Sequence, residues 1–287
     1  MTSASQKTKL ANSRTALVLS GGGARGAYQV GVLSAVAEEL KPGTNPFEII
    51  TGVSVGAINA AFLASRAQDM KAGIEGLRDL WMSLQVENVY KTNALTIVAH
   101  MAQLSGALIL GWAGINPPKS IFNNEPLGEF ITSNIDFDKL RTVLDGDTIE
   151  SLAITTSSYD RSQAVSFYYG SVPVRPWHRS RRDGVPSIIK AEHILASSAL
   201  PFVFPARQIN GTWFGDGALR QIAPLSPAVH LGADNIFVIG ARSFKYGPSD
   251  PEWQWPEDKL VAPYPNTGFL GGQLLDIIFN DNLEADV

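Results

Sequence analysis

Residues 15–40 read TALVLSGGGARGAYQVGVLSAVAEEL, and this stretch decides the fold class. The apolar run 15–20 ends at three glycines, which predicts a buried parallel strand. Apolar residues then recur at helical spacing over 27–40, and the KPG sequence at 41–43 predicts the end of that helix. A second strand and a small-residue helix follow over 47–67. Alternating strands and helices with short links are typical of a parallel sheet covered by helices on both faces.

The length of the chain fits one large α/β domain or two small ones. The chain has 287 residues, of which 45% are hydrophobic and 17% charged, so a large core can form and global disorder is excluded. We expect a polar extension over 1–14 and a single domain over 15–287. The last helical stretch, 271–286, has no cap, which leaves open a continuation of the natural chain past Val287.

Charge, cysteine content and the N-terminus exclude several classes of function. A net charge of -4 gives no reason to expect nucleic-acid binding, and the absence of cysteine excludes disulfides, thiolate catalysis and cysteine metal sites. The N-terminus lacks the apolar core and the cleavage site of a secretory signal. We therefore expect no cleaved signal peptide and a cytoplasmic or peripheral membrane location, with leaderless secretion still open.

A glycine-rich loop joins the first predicted strand to the first predicted helix, and it consists of Gly21, Gly22, Gly23, Ala24, Arg25 and Gly26. Consecutive glycines reach backbone conformations that other residues avoid, so several N–H groups can point into one small space. Beside the positive end of a helix, such a nest binds either a phosphate or the oxyanion of an acyl-transfer intermediate. The loop also satisfies the G-x-G-x-x-G dinucleotide fingerprint, and a purely structural tight turn is a third interpretation.

A second glycine motif, Gly52-Val53-Ser54-Val55-Gly56, follows the second predicted strand and has the form G-x-S-x-G. A serine on a sharp strand-to-helix turn is held exposed, and flanking glycines permit tight packing. A serine that only caps the next helix is the alternative. A dinucleotide site would require an acidic residue at the end of this strand, where the sequence has Thr51 and Gly52. We therefore interpret Ser54 as a nucleophile and the glycine loop as its oxyanion hole.

A nucleophilic serine needs a base, and Asp216 has a more specific sequence context for this role than any histidine of the chain. It lies between Gly215 and Gly217, directly after a short predicted strand. The glycines leave its carboxylate with little steric cover, although an aspartate here could also bond its own turn. The other candidates are the four histidines, His100, His178, His193 and His230. Among them His230, which follows a helix-like stretch, is best placed to complete an ordinary triad.

Two further segments suggest contact with lipid. Residues 92–118 contain no charged side chain and many apolar ones, which is compatible with buried core, with a lid over the site or with a membrane span. A basic cluster follows later: Arg175, His178, Arg179, Arg181 and Arg182, with Trp177 among them. It suits either a solvated loop, which we favour, or a surface for anionic lipid headgroups.

The three motifs together resemble the signature blocks of patatin-like phospholipases, and they occur in the same order. The resemblance spans residues 15–241 and includes the sequence SSALP at 197–201, before the D-G-A motif of Asp216, Gly217 and Ala218. It implies a three-layer α/β/α sandwich with a mainly parallel central sheet. One departure is Ser20, where the family often has aspartate before the glycines.

The resemblance also implies a mechanism. Ser54 would be the nucleophile and Asp216 the general base of a serine–aspartate dyad. Gly52 and Gly56 would shape the nucleophile elbow, and Arg25 matches the family's basic position in the oxyanion loop. The substrate would be a phospholipid or another fatty-acyl ester, met in transient contact with a membrane surface, with no metal and no organic cofactor. An ordinary α/β-hydrolase esterase that uses His230, and a nucleotide-binding protein that uses the glycine loop, remain alternatives.

Overall fold

The computed structural model describes residues 13–90, 99, 102–103, 120–221 and 224–240. Most of the apolar segment 92–118, His100 and the stretch 271–286 lie outside the described residues, as does nearly all of the polar extension. Nothing in the structure therefore tests what the sequence suggests about them.

One mixed sheet forms the centre of the molecule and contains nine strands within the described ranges. The strands are β1 (Thr15–Leu19), β2 (Ile49–Val53), β3 (Ser151–Ser158), β4 (Gln163–Tyr169), β5 (Trp177–Arg179), β6 (Arg182–Pro186), β7 (Arg207–Ile209), β8 (Thr212–Asp216) and β9 (Asn235–Ile239). Their order is β5-β6-β4-β3-β2-β1-β9, and β8 pairs with both β3 and β7.

The central strands are parallel, which brings their carboxyl ends to one edge of the sheet. Leu17 of β1 is in register with Ile50 of β2 and with Phe237 of β9, and Thr51 of β2 is in register with Ala153 of β3. In open α/β sheets this edge is where ligands bind. The glycine loop follows β1 and Ser54 follows β2, so both lie at this edge. We call it the catalytic edge.

Helices cover the two faces of the sheet unequally. They are α1 (Gly26–Glu39), α2 (Val55–Ala64), α3 (Met70–Ser83), α4 (Glu125–Asn134), α5 (Phe137–Asp145), α6 (Ala191–Ser197) and α7 (Ser226–Leu231). Leu17 and Leu19 point to the larger core, which α1–α6 complete. Ala16 and Val18 point to a smaller cluster under α7, as the two-residue period of a strand requires.

The predicted fold class is confirmed: a mixed, mostly parallel central sheet is flanked by helices. Most predicted elements are also found, with shifted bounds. The sequence predicts a helix over 76–84, and the structure has it as α3, which begins at Met70, where the Asp69 side chain accepts a hydrogen bond from the N–H of Ala72. Within the described ranges, no helix combines the length and the apolar character needed to cross a bilayer.

Two local predictions are wrong. The basic cluster is solvated but is not a loop: His178, Arg179 and Arg181 are exposed, whereas Trp177 is buried and the segment 177–186 contains the antiparallel pair β5–β6. The sequence also predicts a buried strand over 235–241, but Asn235 and Phe237 of β9 are exposed. Among the described strands β9 pairs with β1 alone, so one of its sides is left without a neighbour there.

Candidate active site

The turn from β2 to α2 holds Ser54 in a strained conformation. Its φ is 54° and its ψ -127°, a region that residues with a side chain rarely occupy. A Cβ atom at Gly52 would collide with the carbonyl oxygen of Gly56, and one at Gly56 would collide with that of Leu19. The two glycines therefore let the strand, the turn and the helix approach closely. The side chain of Ser54 makes no capping bond to α2, so capping does not explain this serine.

Asp216 ends β8 and lies directly against Ser54. The hydroxyl of Ser54 donates to Asp216 Oδ2 over 2.7 Å, and the N–H of Ala218 donates to Oδ1 over 2.9 Å. The backbone N–H of Asp216 donates to the carbonyl of Ala199 at 2.9 Å. The aspartate therefore does bond its own turn, with one oxygen, while the other oxygen holds the serine hydroxyl. Both carboxylate oxygens are thus fixed in place.

Burial changes the acidity of this carboxyl. Asp216 is 2% exposed, and desolvation raises its pKa from 3.8 to about 6. The hydrogen bonds from the Ser54 hydroxyl and the Ala218 N–H act in the opposite direction but are the weaker influence. The group is therefore ionised at neutral pH and is a stronger base than an aspartate in water.

The glycine loop lies beside the serine. A Cβ atom at Gly21 would stand 3.3 Å from the Cβ of Ser54, and Gly22 and Gly23 have φ values of 155° and 56°. The N–H groups of Gly22, Gly23 and Ala24 donate to no described residue, which leaves them free for a substrate oxygen. The N–H groups of Arg25 and Gly26 instead close the short 3-10 turn of residues 23–25.

A chain of serines supports the turn from the opposite side. The N–H of Ser54 donates to the hydroxyl of Ser197 at 2.8 Å, which donates in turn to the carbonyl of Thr155 at 2.6 Å. The hydroxyl of Ser198 donates to the carbonyl of Ser54 at 3.2 Å. In the sequence, the motif at 197–201 indicates only a resemblance to a family. The structure shows that its two serines hold the backbone of the turn.

A buried polar network ties the glycine loop to α2 and α3, and sequence reasoning missed it. Gln29 Nε2 donates to the carbonyl of Ser20 at 2.7 Å, Asn59 Nδ2 donates to Gln29 Oε1 at 2.9 Å, and Trp81 Nε1 donates to Asn59 Oδ1 at 2.9 Å. Gln29 and Asn59 are both 0% exposed. Polar residues at core positions of two helices were the available signal.

A cavity of about 400 Å³ opens beside the serine. Gly23, Ala24, Ser54 and Asp216 line one end of it. The rest of the wall is largely apolar and includes Ile58, Leu80, Trp81, Leu127, Phe130 and Phe204. Gln85, Tyr90 and Ser198 also line it, but a wall that is mostly apolar suits a hydrocarbon chain better than a phosphate.

The three histidines within the described ranges have other partners. His230 stacks on Trp177 with ring centroids 4.8 Å apart, and its Nδ1 lies 2.8 Å from the carbonyl of Ser226. His193 is buried, which lowers its pKa, and its Nδ1 accepts from the N–H of Lys190. His178 Nδ1 is 3.0 Å from Asp183 Oδ1. None of the three bonds Ser54 or Asp216 or lines the cavity. No cluster of metal-binding side chains occurs in the described part of the chain.

A family model described as Patatin-like phospholipase matches residues 17–229. The chain belongs to the patatin-like phospholipase family. The match runs from within β1 into α7, so this patatin domain contains the glycine loop, Ser54 and Asp216 together. Among curated proteins, no sequence matches the chain.

Solved structures similar to the chain include VipD and ExoU. VipD from Legionella pneumophila has a TM-score of 0.42 and 18% identity, over 71% of this chain and 46% of that protein. ExoU from Pseudomonas aeruginosa, in its complex with SpcU, has a TM-score of 0.31 and 20% identity, over 55% of this chain and 35% of the other. A second structure of ExoU, described as a type III effector protein, has a TM-score of 0.29 and 22% identity, over 55% of this chain and 36% of that protein. The chain covers less than half the length of each.

Proposed function

We propose that the chain is a lipid acyl hydrolase in which Ser54 is the nucleophile and Asp216 the general base. The observation that carries the proposal is the 2.7 Å hydrogen bond from the serine hydroxyl to a buried carboxylate. A base must be within about 2.6–3.2 Å of the proton that it removes, and this contact meets that condition. The family match adds the class of substrate, a phospholipid or another fatty-acyl ester.

In the first step Ser54 Oγ attacks the ester carbonyl and its proton passes to Asp216 Oδ2. The carbonyl oxygen becomes an oxyanion, and the N–H groups of Gly22, Gly23 and Ala24 are available to stabilise it. The C–O bond of the ester then breaks, and the leaving alcohol, such as a lysophospholipid, takes the proton from Asp216. The acyl group remains on Ser54.

In the second step Asp216 removes a proton from water, and the resulting hydroxide equivalent attacks the acyl-enzyme. The same N–H groups are available to stabilise the second oxyanion. Collapse of that intermediate releases the fatty acid and returns the proton to Ser54 Oγ. The cycle needs neither a metal nor an organic cofactor.

The apolar cavity supports a fatty-acyl substrate rather than a nucleotide. Each buried CH₂ group stabilises binding by about 0.8 kcal/mol, so each added carbon should improve kcat/KM by up to about fourfold until the cavity is full. Gly23 and Ala24 of the glycine loop line this cavity together with Ser54. A nucleotide phosphate at the loop would place the rest of the ligand against apolar walls.

The decisive experiment compares wild-type protein with Ser54→Ala. We expect labelling by a fluorophosphonate at the peptide that contains Ser54, and release of fatty acid from phosphatidylcholine vesicles. Ser54→Ala should lose both and keep the melting temperature within a few degrees.

His230→Ala is the matched control for the alternative triad, and it should retain labelling and turnover. Turnover by folded Ser54→Ala would refute the proposal. Loss of turnover in folded His230→Ala would favour the ordinary esterase mechanism.

A further inference from the structure

Positive charge is concentrated at the catalytic edge although the whole chain is acidic. The net charge of the chain is -4. Five arginines nevertheless lie in the turns beyond Ser54 and Asp216 or at the strand ends beside those turns, and we call them the arginine rim: Arg161, Arg179, Arg181, Arg182 and Arg220. All are exposed except Arg182, which is half-buried.

The strand register places the tip of the β5–β6 hairpin at this edge. Arg182 pairs with Ala164 of β4, and Ala164 pairs with Ser157 of β3. Asp216 pairs with Thr156, one residue earlier on the same strand. Arg182 therefore lies one residue beyond the level of Asp216. It is two strands away from β3, or about 10 Å. Arg179 pairs with Arg182, and Arg181 lies in the turn between them.

The other two arginines extend the rim towards the serine. Arg161 lies in the β3–β4 turn, with 66% of its side chain exposed. Arg220 follows the short turn after Asp216, and its Nη1 donates to the carbonyl of Ser162 at 3.1 Å. That bond joins the turn after the candidate base to the β3–β4 turn. The rim is therefore continuous from β8 to β6.

Few acidic groups oppose this charge. Asp183 is buried and bonds His178 and Gln163, with Arg161 3.7 Å away. Asp160 Oδ2 accepts from the N–H of Trp213 at 3.1 Å. Among the described residues, these two carboxylates stand against five arginines, and Asp183 is paired with Arg161, so the rim carries a net positive charge.

Two exposed aromatic side chains accompany the arginines. Trp213 is 45% exposed and Tyr159 39% exposed, and the N–H of Tyr159 donates to the carbonyl of Trp213 at 3.0 Å. Tryptophan and tyrosine are the side chains enriched where a protein meets the bilayer surface. Arginine adds attraction to anionic headgroups. Aromatic and basic groups at one edge therefore favour a bilayer over other polyanions.

We propose that the arginine rim, with Tyr159 and Trp213, docks the catalytic edge onto a membrane surface rich in anionic lipid. The role of this contact in catalysis rests on the proposed function. Docking would place Ser54 near the headgroup layer. Each arginine close to an anionic surface contributes about fivefold to membrane partitioning, so loss of three should weaken binding about 100-fold.

The test uses the Ser54→Ala protein, so that vesicle binding is measured without hydrolysis. Sedimentation with phosphatidylcholine vesicles is compared with sedimentation with vesicles that also contain phosphatidylglycerol. We expect much stronger binding to the anionic vesicles than to the neutral ones, and release of the protein at high salt. The rim variant Arg179→Gln/Arg181→Gln/Arg182→Gln should bind about 100-fold more weakly and melt within a few degrees of its parent.

The matched control is Lys41→Gln/Lys139→Gln/Arg141→Gln, which removes the same charge from exposed positions at the end of α1 and on α5. It should bind as the parent does. Equal loss in both triple variants, equal binding to neutral vesicles, or binding of a single-stranded oligonucleotide without vesicle binding would overturn the proposal. If Ser54→Ala binds anionic vesicles while wild-type protein releases no fatty acid, the rim stands and the proposed function fails.

Discussion

Asp216→Asn should abolish most activity and make the protein more stable at neutral pH. The folded state raises the pKa of this carboxyl from 3.8 to about 6, which corresponds to roughly 3 kcal/mol between the protonated and ionised forms. Because the pKa is raised on folding, the folded state binds the proton more tightly than the unfolded state. The free energy of unfolding therefore falls as pH rises from about 4 to about 6, and stays low above that.

An asparagine removes this cost. Its oxygen can still accept from the N–H of Ala218, and its amide can donate to the hydroxyl of Ser54. We expect the free energy of unfolding at about pH 8 to rise by up to roughly 3 kcal/mol, and to change little at about pH 4. Without the base, turnover should fall by about 100-fold to 10,000-fold.

Urea unfolding at the two pH values, with hydrolysis of a soluble ester, measures both effects. Asp136→Asn is the control, because Asp136 caps α5 by accepting hydrogen bonds that an asparagine can also accept. Its stability and activity should stay close to wild type at either pH. A change in stability for Asp216→Asn that is the same at both pH values, or an active Asp216→Asn enzyme, would refute the reasoning.

Three further predictions concern the site. The value of kcat/KM for a soluble ester should rise with pH through about 6 and then level off, as Asp216 ionises; a profile without that step would contradict the assigned base. Gly23→Ala should cut turnover about 100-fold, because it misplaces an oxyanion donor. Gly211→Ala is the control: Gly211 has a φ of 82° in the β7–β8 turn, so this variant should have a lower melting temperature and unchanged turnover. Asn59→Leu removes the hydrogen bonds that connect Gln29 to Trp81, and it should lower kcat about 10-fold with less effect on KM. A lower melting temperature with unchanged kcat would show that the network is purely structural.

Much of the central fold could be predicted because its signals are local. The apolar run of β1 and the helical spacing of α1 each lie in one short segment, and the glycines between them mark the turn. The β5–β6 hairpin could not be predicted in this way. Its strand 182–186 contains Arg182, Asp183 and Gly184, and it is stabilised by pairing with β4 and by the burial of Trp177. These tertiary contacts outweigh weak local preference.

In the candidate site too, local sequence signals predict some features, whereas others depend on tertiary contacts. Ser54 and Asp216 can be identified in the sequence because the flanking glycines indicate tight turns. Their contact and the raised pKa of Asp216 depend on burial, which no local pattern reports. The cavity wall combines α2, α3 and α4 with residues near 204, so its volume exists only in the folded chain. Gln29 and Asn59 were visible as polar residues in apolar helices, but their partners were not.

The hydrogen bond between Ser54 and Asp216 joins residues 162 positions apart in the chain. A ribosome that has made α1 through α5 has already produced Ser54 and the glycine loop, but not Asp216, the carboxylate that we propose activates the serine. The strand β9, which flanks β1, is made later still. Under the proposed mechanism, the growing polypeptide is catalytically silent until the second half of the patatin domain has been translated and has folded back onto the first. The appearance of esterase activity in a translation reaction would then time the completion of tertiary structure.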